Sequence, residues 1–479
     1  MTDFFLNHIR FDNAASPALQ DDERRMTYAE LNSTCRQIGS QIHTTWGADN
    51  YIVVRAAPTA PFVATLLAVM ASGNTPIPVD PNLPADVLAY IKDKSRAVCV
   101  LDPPEPSQYA GQPACDFRVS SMPGLIMFTS GTSGFPKGVT ITHHNLVFAC
   151  RAVANYLNYH EHRSAAVVLP MHYSYALLSQ VCCQLYVGGF VRLFSSFRNP
   201  LKIAEESTRL NLQTFCGVPS TFVALDMLHR MDRLSFPTVR VVCSAGAPMD
   251  HSRYARIKEV FPHSKLFNNY GMTEAAPRIA YIAEDDPRFL ENTCGRPMQG
   301  VEVKILDHQT HRELPDGEVG VLAVRGPNIT PGYLNDPELT QAAFTTDGFL
   351  ISGDVACLRE GYITILGRND DIFNVAGEKI APPEIERALN ELPFVTGSAV
   401  RGISDSDRGS VPVAFLMLDG TARDVTRRLL HKALSKRLSP AKMPHRFYEV
   451  RSFPTTSNGK LLRRCLEVDD RERIVREIV

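Results

Sequence analysis

The sequence predicts an α/β protein with a large N-terminal domain of α/β sheets, a small β subdomain inside it, and an α+β C-terminal domain. Three observations carry this prediction. From residue 26 to about residue 300, helical stretches alternate with short β-branched runs, the pattern of parallel strands joined by crossover helices. From 301 to 367, Gly and Pro punctuate short alternating segments, which suits antiparallel strands. Beyond Gly367 the adjacent Pro382 and Pro383 precede a helical run, as at a helix start, and strand and helix patterns then follow. The expected domains are therefore 1–367, with the β subdomain at about 301–367, and 368–479.

The elements follow in order. MTYAELNSTCRQIGSQI (26–42) reads as an amphipathic helix, YIVVRA (51–56) as a strand, FVATLLAVMASG (62–73) as a buried helix, and AVCVLD (97–102) as a strand. Further strands are expected at 165–170, 190–194, 214–218 and 239–246, and shorter ones at VEVKIL, GEVGVLAVRG and GYITILGR. The C-terminal domain should hold strands at SAVRGIS and VPVAFLML, a helix from about 422 to 438, and a last strand near FYEV.

Composition removes several function classes. Fifty Lys and Arg against 51 Asp and Glu give a net charge of −1, so no global field favours a nucleic-acid partner. No segment offers the roughly 18 apolar residues of a membrane span, and the N-terminus lacks a signal-peptide pattern. Eleven cysteines form neither a C-x-x-C pair nor a secreted framework, so reduced thiols and a cytoplasmic location are expected, with Cys182 and Cys183 as packing residues. Residues 420–479 carry 15 Lys and Arg against 7 Asp and Glu, either a solvated face or a surface for an anionic ligand.

The sharpest motif is FTSGTSGFPKG (128–138), which follows the apolar GLIMF. Small hydroxyl residues and glycines after a strand present N–H and O–H donors to phosphate oxygens, and Lys137 adds positive charge; the plain alternative is a flexible turn. The glycine spacing is not that of a Walker loop, and Gly138 rather than Ser or Thr follows Lys137.

Five further motifs stand in order behind it: NNYGMTE (268–274), SGD (352–354), GRND (367–370), AGEKIAPPEIE (376–386) and TSNGK (456–460). Together with the loop they resemble the AMP-forming adenylating enzymes: acyl-CoA synthetases, stand-alone adenylation enzymes and luciferases. The likeness runs from about Met26 to Arg464. It implies ATP and Mg²⁺ as cofactors, an acyl-adenylate intermediate, and a mobile C-terminal domain.

The resemblance also implies roles for individual residues. Thr129, Ser130, Thr132, Ser133 and Lys137, with Gly131 and Gly134 in the same loop, would hold the β- and γ-phosphates. Thr273 would contact the α-phosphate, and Glu274 would be the magnesium ligand, a carboxylate suited to a hard cation. Tyr270 would stack on adenine with Gly246, Ala247 and Asn269 framing the ring, and Gly271 lies in the same motif. Asp354 and Arg368 would bind the ribose. Lys460 would bridge the substrate carboxylate and the α-phosphate. Asp370 matches the hinge, and Gly377 lies in a loop lining the thiol tunnel.

LPMHYSY (169–175) resembles the acid-pocket motif, with either Tyr173 or His172 as the aromatic gate. Enzymes that activate α-amino acids place an Asp near Ser174 to pair with the ammonium group, and no carboxylate lies between Pro170 and Gly189. A fatty or aryl acid with a neutral acyl group is therefore expected rather than an α-amino acid. Its pocket would draw on Tyr173, Ser174, Tyr175, Val218, Ala245, Met272 and Ile279, although each apolar wall residue can equally be core. The acceptor is coenzyme A or a separate carrier protein with the same phosphopantetheine arm. Luciferase-like oxidation and a non-catalytic binding relative are more distant readings, the latter disfavoured by the presence of Lys137, Glu274, Asp354 and Lys460.

Overall fold

All twelve side chains of the helix Ala60–Ala71 are buried, which is why its sequence shows no polar face. It packs against the helix Tyr28–Trp46 and the strands Tyr51–Arg55 and Thr75–Val79. Tyr28–Trp46 is amphipathic, burying Leu31, Cys35, Ile38 and Ile42 along one face. A reciprocal cap starts it: Glu30 N donates to Thr27 Oγ1 at 3.2 Å, and Thr27 N donates to Glu30 Oε2 at 2.7 Å. The computed structural model describes residues 3–104, 108, 114, 116–129, 135–232, 234–247, 249, 252–375, 378–405, 409–419, 425–455 and 461–479.

The main sheet has nine strands. Its centre is parallel, running Lys265–Tyr270, Val241–Ser244, Thr214–Gly217, Ser164–Val167, Phe190–Leu193 and Pro17–Gln20. Antiparallel strands close both edges: Ala280–Ala283 and Arg296–Pro297 on one side, Arg25–Thr27 on the other. The interior strands are apolar on both faces, as a sheet covered by helices requires. Three adjacent strands end side by side at Gly217, Ser244 and Tyr270, and the crevice outside the carboxyl ends of such strands is where open α/β sheets bind ligands. A three-stranded parallel sheet (51–55, 75–79, 99–101) and the hairpin Leu125–Thr129/Lys137–Ile141 complete this part.

The strands Glu302–Leu306, Val319–Arg325, Leu350–Arg359 and Tyr362–Arg368 form an antiparallel sheet. The C-terminal part is a separate α+β layer. Val395–Asp405, Gly409–Leu418 and Arg446–Val450 form the sheet on which the helices Pro382–Asn390 and Arg427–Leu434 bury Ile385, Leu389, Leu430 and Leu434. Among the described residues the second helix is shorter than the expected 422–438. Arg437 N and Leu438 N both turn back to Leu434 O, at 2.8 and 2.9 Å, ahead of the Ser439-Pro440 break. The sequence pattern also missed the strands Phe373–Val375, Glu378–Ile380 and Ile474–Glu477. The last of these exposes three of its four residues as a sheet edge and so carries no alternation.

One ion-pair network ties this layer together. The Arg463 guanidinium donates to both oxygens of Glu386 at 2.7 and 2.8 Å, to Asp371 Oδ2 at 3.0 Å and to Val400 O at 2.9 Å, while Val400 N donates to Glu386 Oε1 at 2.7 Å. Burial pushes the Glu386 carboxyl above the usual carboxylate range, and Arg463 offsets part of that.

Every cysteine among the described residues is a free thiol, and Cys182 and Cys183 are buried in apolar packing. No described helix is long and apolar enough to cross a membrane.

His143 opens the helix His143–Tyr156, packs edge-on against Phe4 and accepts a hydrogen bond from Phe5 N at 3.4 Å. Burial pushes its imidazole down to about 4 from 6.5. Between these values the unfolded chain binds a proton that the folded chain does not, so stability is full above pH 6.5 and falls as the pH drops toward 4. Urea unfolding should show a loss of about 2 kcal/mol between pH 7 and pH 5 from this group. His143→Gln should remove most of that slope, and an unchanged slope would assign it elsewhere.

Candidate active site

The crevice is built by loops leaving the three strand ends. The strand Val241–Ser244 runs into Ala245, Gly246 and Ala247, of which the last two are exposed. Gly246 has φ +89°, and a Cβ there would lie 2.9 Å from Tyr173 Oη, so a side chain at this position is both strained and obstructed. Val218 Cγ1 lies on the same spot at 3.4 Å. Tyr173 thus faces the crevice, whereas the His172 imidazole sits 3.7 Å from Asp80.

The strand Lys265–Tyr270 carries the second motif. Gly271 follows it where a Cβ would overlap Pro277 O at 1.9 Å, so only glycine lets the Pro277–Arg278 backbone pass. Tyr270 donates its hydroxyl to Asp354 Oδ2, and Arg368 Nε lies 3.3 Å from Asp354 Oδ1. Burial and the neighbouring Asp354 carboxylate push the Tyr270 hydroxyl well up, keeping it a donor. Asp354 sits on Leu350–Arg359, its N–H bonded to Ser352 Oγ at 3.1 Å. The antiparallel sheet therefore brings a carboxylate and an arginine to the end of the parallel one. Asn269 is buried, its Oδ1 accepting from Tyr156 Oη at 3.0 Å.

Glu274 lies one turn beyond, in the short helix Thr273–Ala275. Its Oε1 accepts from Tyr333 Oη at 3.1 Å, and its carbonyl accepts from Thr330 N at 2.8 Å. Lys137 Nζ is 5.5 Å from the centroid of the same Tyr333 ring. Burial and Glu274 together push the Tyr333 hydroxyl up. Sequence reasoning missed Tyr333. The available signal was an aromatic residue after Thr330-Pro331-Gly332, a turn whose Gly332 has φ +147° and whose Tyr333 bridges Val139 in the hairpin Leu125–Thr129/Lys137–Ile141.

Thr129 and Lys137 pair across that hairpin. Ser130, Gly131, Thr132, Ser133 and Gly134 lie outside the described residues, as do Gly377, flanked by the paired Val375 and Glu378, and Lys460, flanked by the bridged Thr455 and Leu461. Asp370 stands in the single turn Asn369–Asp371 after the strand Tyr362–Arg368.

Among the residues expected to line the acid pocket, Ser174 Oγ is 3.0 Å from Thr273 Oγ1. Tyr175 is buried and donates to Cys243 O at 3.2 Å, and Tyr173 meets it edge-on at 6.1 Å. Met272 is half-buried, while Ile279 and Ala245 are buried. A second residue outside the sequence reading stands here. Arg278 places its guanidinium carbon 5.2 Å over the Tyr175 ring.

Residues 11–120 and 116–334 match the family model for AMP-binding enzymes, and 384–460 match that of the AMP-binding enzyme C-terminal domain. The chain belongs to the AMP-binding enzyme family. It is an AMP-forming acid–thiol ligase. Similar relatives include 4-coumarate-CoA ligase 1 of Narcissus pseudonarcissus, 28% identical over 92% of this chain and 88% of that one. Another is 4-coumarate–CoA ligase CCL1 of Humulus lupulus, 30% identical over 71% of this chain and 63% of that one. Among solved structures, ATP-bound MatB from Rhodopseudomonas palustris superposes with a TM-score of 0.88 at 24% identity, covering 96% of this chain and 97% of that one. o-Succinylbenzoate CoA synthetase (MenE) from Bacillus subtilis, in complex with its acyl-adenylate intermediate OSB-AMP, gives 0.86 at 22% identity, covering 98% of both. These structures share the family fold of an α/β N-terminal part and a separate C-terminal domain.

Proposed function

We propose that this ligase activates a fatty or aryl carboxylic acid, not an α-amino acid, and hands the acyl group to the thiol of coenzyme A. The observation that supports the reading is the 3.0 Å contact of Ser174 with Thr273, because the resemblance assigns the first to the acid pocket and the second to the α-phosphate. A substrate oxygen beside Ser174 lies close to an α-phosphate held by Thr273, and proximity of this kind supplies much of the rate. The carboxylate oxygen attacks the α-phosphorus and pyrophosphate leaves. The thiolate then attacks the acyl carbon and AMP leaves. Lys137 offsets phosphate charge, Asp354 accepts from the ribose hydroxyls, and Lys460 enters only for the first step.

Glu274 fits a magnesium site. Tyr333 orients the carboxylate through one oxygen, and the second takes no hydrogen bond from the described residues. No described cluster of three acidic or histidine side chains surrounds it, which suits Mg²⁺ drawing its other ligands from phosphate and water. The ion would neutralise phosphate charge as the α-phosphorus is attacked.

Acid-dependent pyrophosphate release across aryl, fatty and α-amino acids, with CoA or a phosphopantetheinylated carrier, tests the reading. An α-amino acid as best substrate, or a carrier preferred over CoA, would overturn the corresponding half. Asp370→Pro supplies a further check. A single 3₁₀-type turn has φ near the value proline fixes, so this conformation tolerates the substitution, while a rotation changing that torsion does not. Pyrophosphate release should persist and thioester synthesis should fail; full thioester synthesis would place the pivot elsewhere.

A further inference from the structure

Arg278 is 1% exposed, one of the two largest fully buried side chains. Its only hydrogen bond among the described residues runs from Nη2 to Ser179 Oγ at 3.4 Å; its Nε has no partner, and no described carboxylate lies within ion-pair distance. The backbone beside it is fixed, because Asn328 Nδ2 donates to Arg278 O at 2.7 Å and to Ala275 O at 3.1 Å. The helical turn that supplies Ser179 also supplies Gln180, 1% exposed with neither amide atom partnered. A guanidinium stays charged at any working pH, and burying that charge without a counter-ion is strongly destabilising. Such a group is tolerated where an anion arrives from outside the chain.

The position says which anion. Thr273 touches Ser174, Ser174 precedes Tyr175, and Arg278 lies over the Tyr175 ring, so the guanidinium stands beside a residue expected to line the acid pocket. We infer that the acid carries a second carboxylate at the far end of its acyl group, which pairs with Arg278 and takes a further hydrogen bond from Ser179. A guanidinium receives a carboxylate through two parallel N–H bonds, whereas a methyl or amide terminus leaves the charge uncompensated. The expectation of a neutral acyl group came from residues 170–189 alone, and Arg278 lies outside that stretch. The inference rests on the proposed acid activation and narrows its substrate to α,ω-diacids and carboxyaryl acids.

The experiment measures pyrophosphate release by the full chain with alkyl and aryl diacids of increasing length. Each is compared with the monoacid ending in a methyl and with the half-amide of equal length. The best diacid should exceed its half-amide by roughly a hundredfold or more in kcat/KM, since a site built for a polar group rejects analogues lacking it. Arg278→Met should abolish the preference chiefly through KM and raise activity with monoacids, and Arg278→Lys should retain part of it. Should Arg278→Met fail to fold, the comparison on the unaltered enzyme still decides. Monoacids or half-amides matching the diacids would overturn this inference while leaving acid activation standing. Absence of release with every acid would overturn both.

Discussion

Lys460→Ala is expected to lower pyrophosphate release by at least a hundredfold while leaving thioester formation from supplied acyl-adenylate within a few-fold of the unaltered enzyme. A charge aimed at the developing negative charge of a transition state contributes on the order of 3 kcal/mol or more, because a positioned donor needs no reorganisation when the reaction occurs. The second step has AMP as leaving group and a thiolate as nucleophile, and in the proposed scheme it takes place after the lysine has withdrawn. The two half-reactions should therefore separate. Equal loss of both, with unchanged thermal unfolding, would show that Lys460 acts in both half-reactions and overturn the two-conformation scheme.

Arg463→Met should destabilise the C-terminal domain by about 3–5 kcal/mol, the cost of leaving a buried carboxylate without its partner. Glu386 and Arg463 are 13% and 15% exposed, and in the variant Glu386 loses both hydrogen bonds from the guanidinium and keeps, among the described residues, only that from Val400 N. Replacing both residues by methionine should recover much of the loss, since an apolar pair leaves no unpaired charge. Chemical denaturation followed by a reporter in the C-terminal domain distinguishes the cases. If the single variant unfolds at the same denaturant concentration as the parent, the network contributes nothing to stability. In the proposed scheme the network also adjoins the adenylation lysine and the hinge, since Arg463 follows Lys460 by three residues and its partner Asp371 follows Asp370. Weakened packing there should lower pyrophosphate release and thioester synthesis alike, in contrast to Lys460→Ala.

What the sequence by itself determined is whatever a local pattern encodes. Alternating helices and β-branched strands specified the α/β layer because crossover connections repeat that pattern along the chain. Family membership was legible in the motifs at 128–138 and around Tyr270, Asp354 and Asp370, because each combines particular turn residues and functional groups at fixed spacing. Short edge strands such as Ile474–Glu477 were not legible, since an exposed strand has no buried face to record. Only the tertiary structure decided which distant residues meet. Tyr333 reaches Glu274 from 59 residues away, and Asp354 meets Tyr270 across 84 because a separate sheet delivers it. Arg278 reads in sequence as an ordinary charge beside an apolar run. It becomes a buried charge without a described counter-ion only when the surrounding elements enclose it, because the cost of an unpaired charge depends on burial, and burial is a property of the assembled fold.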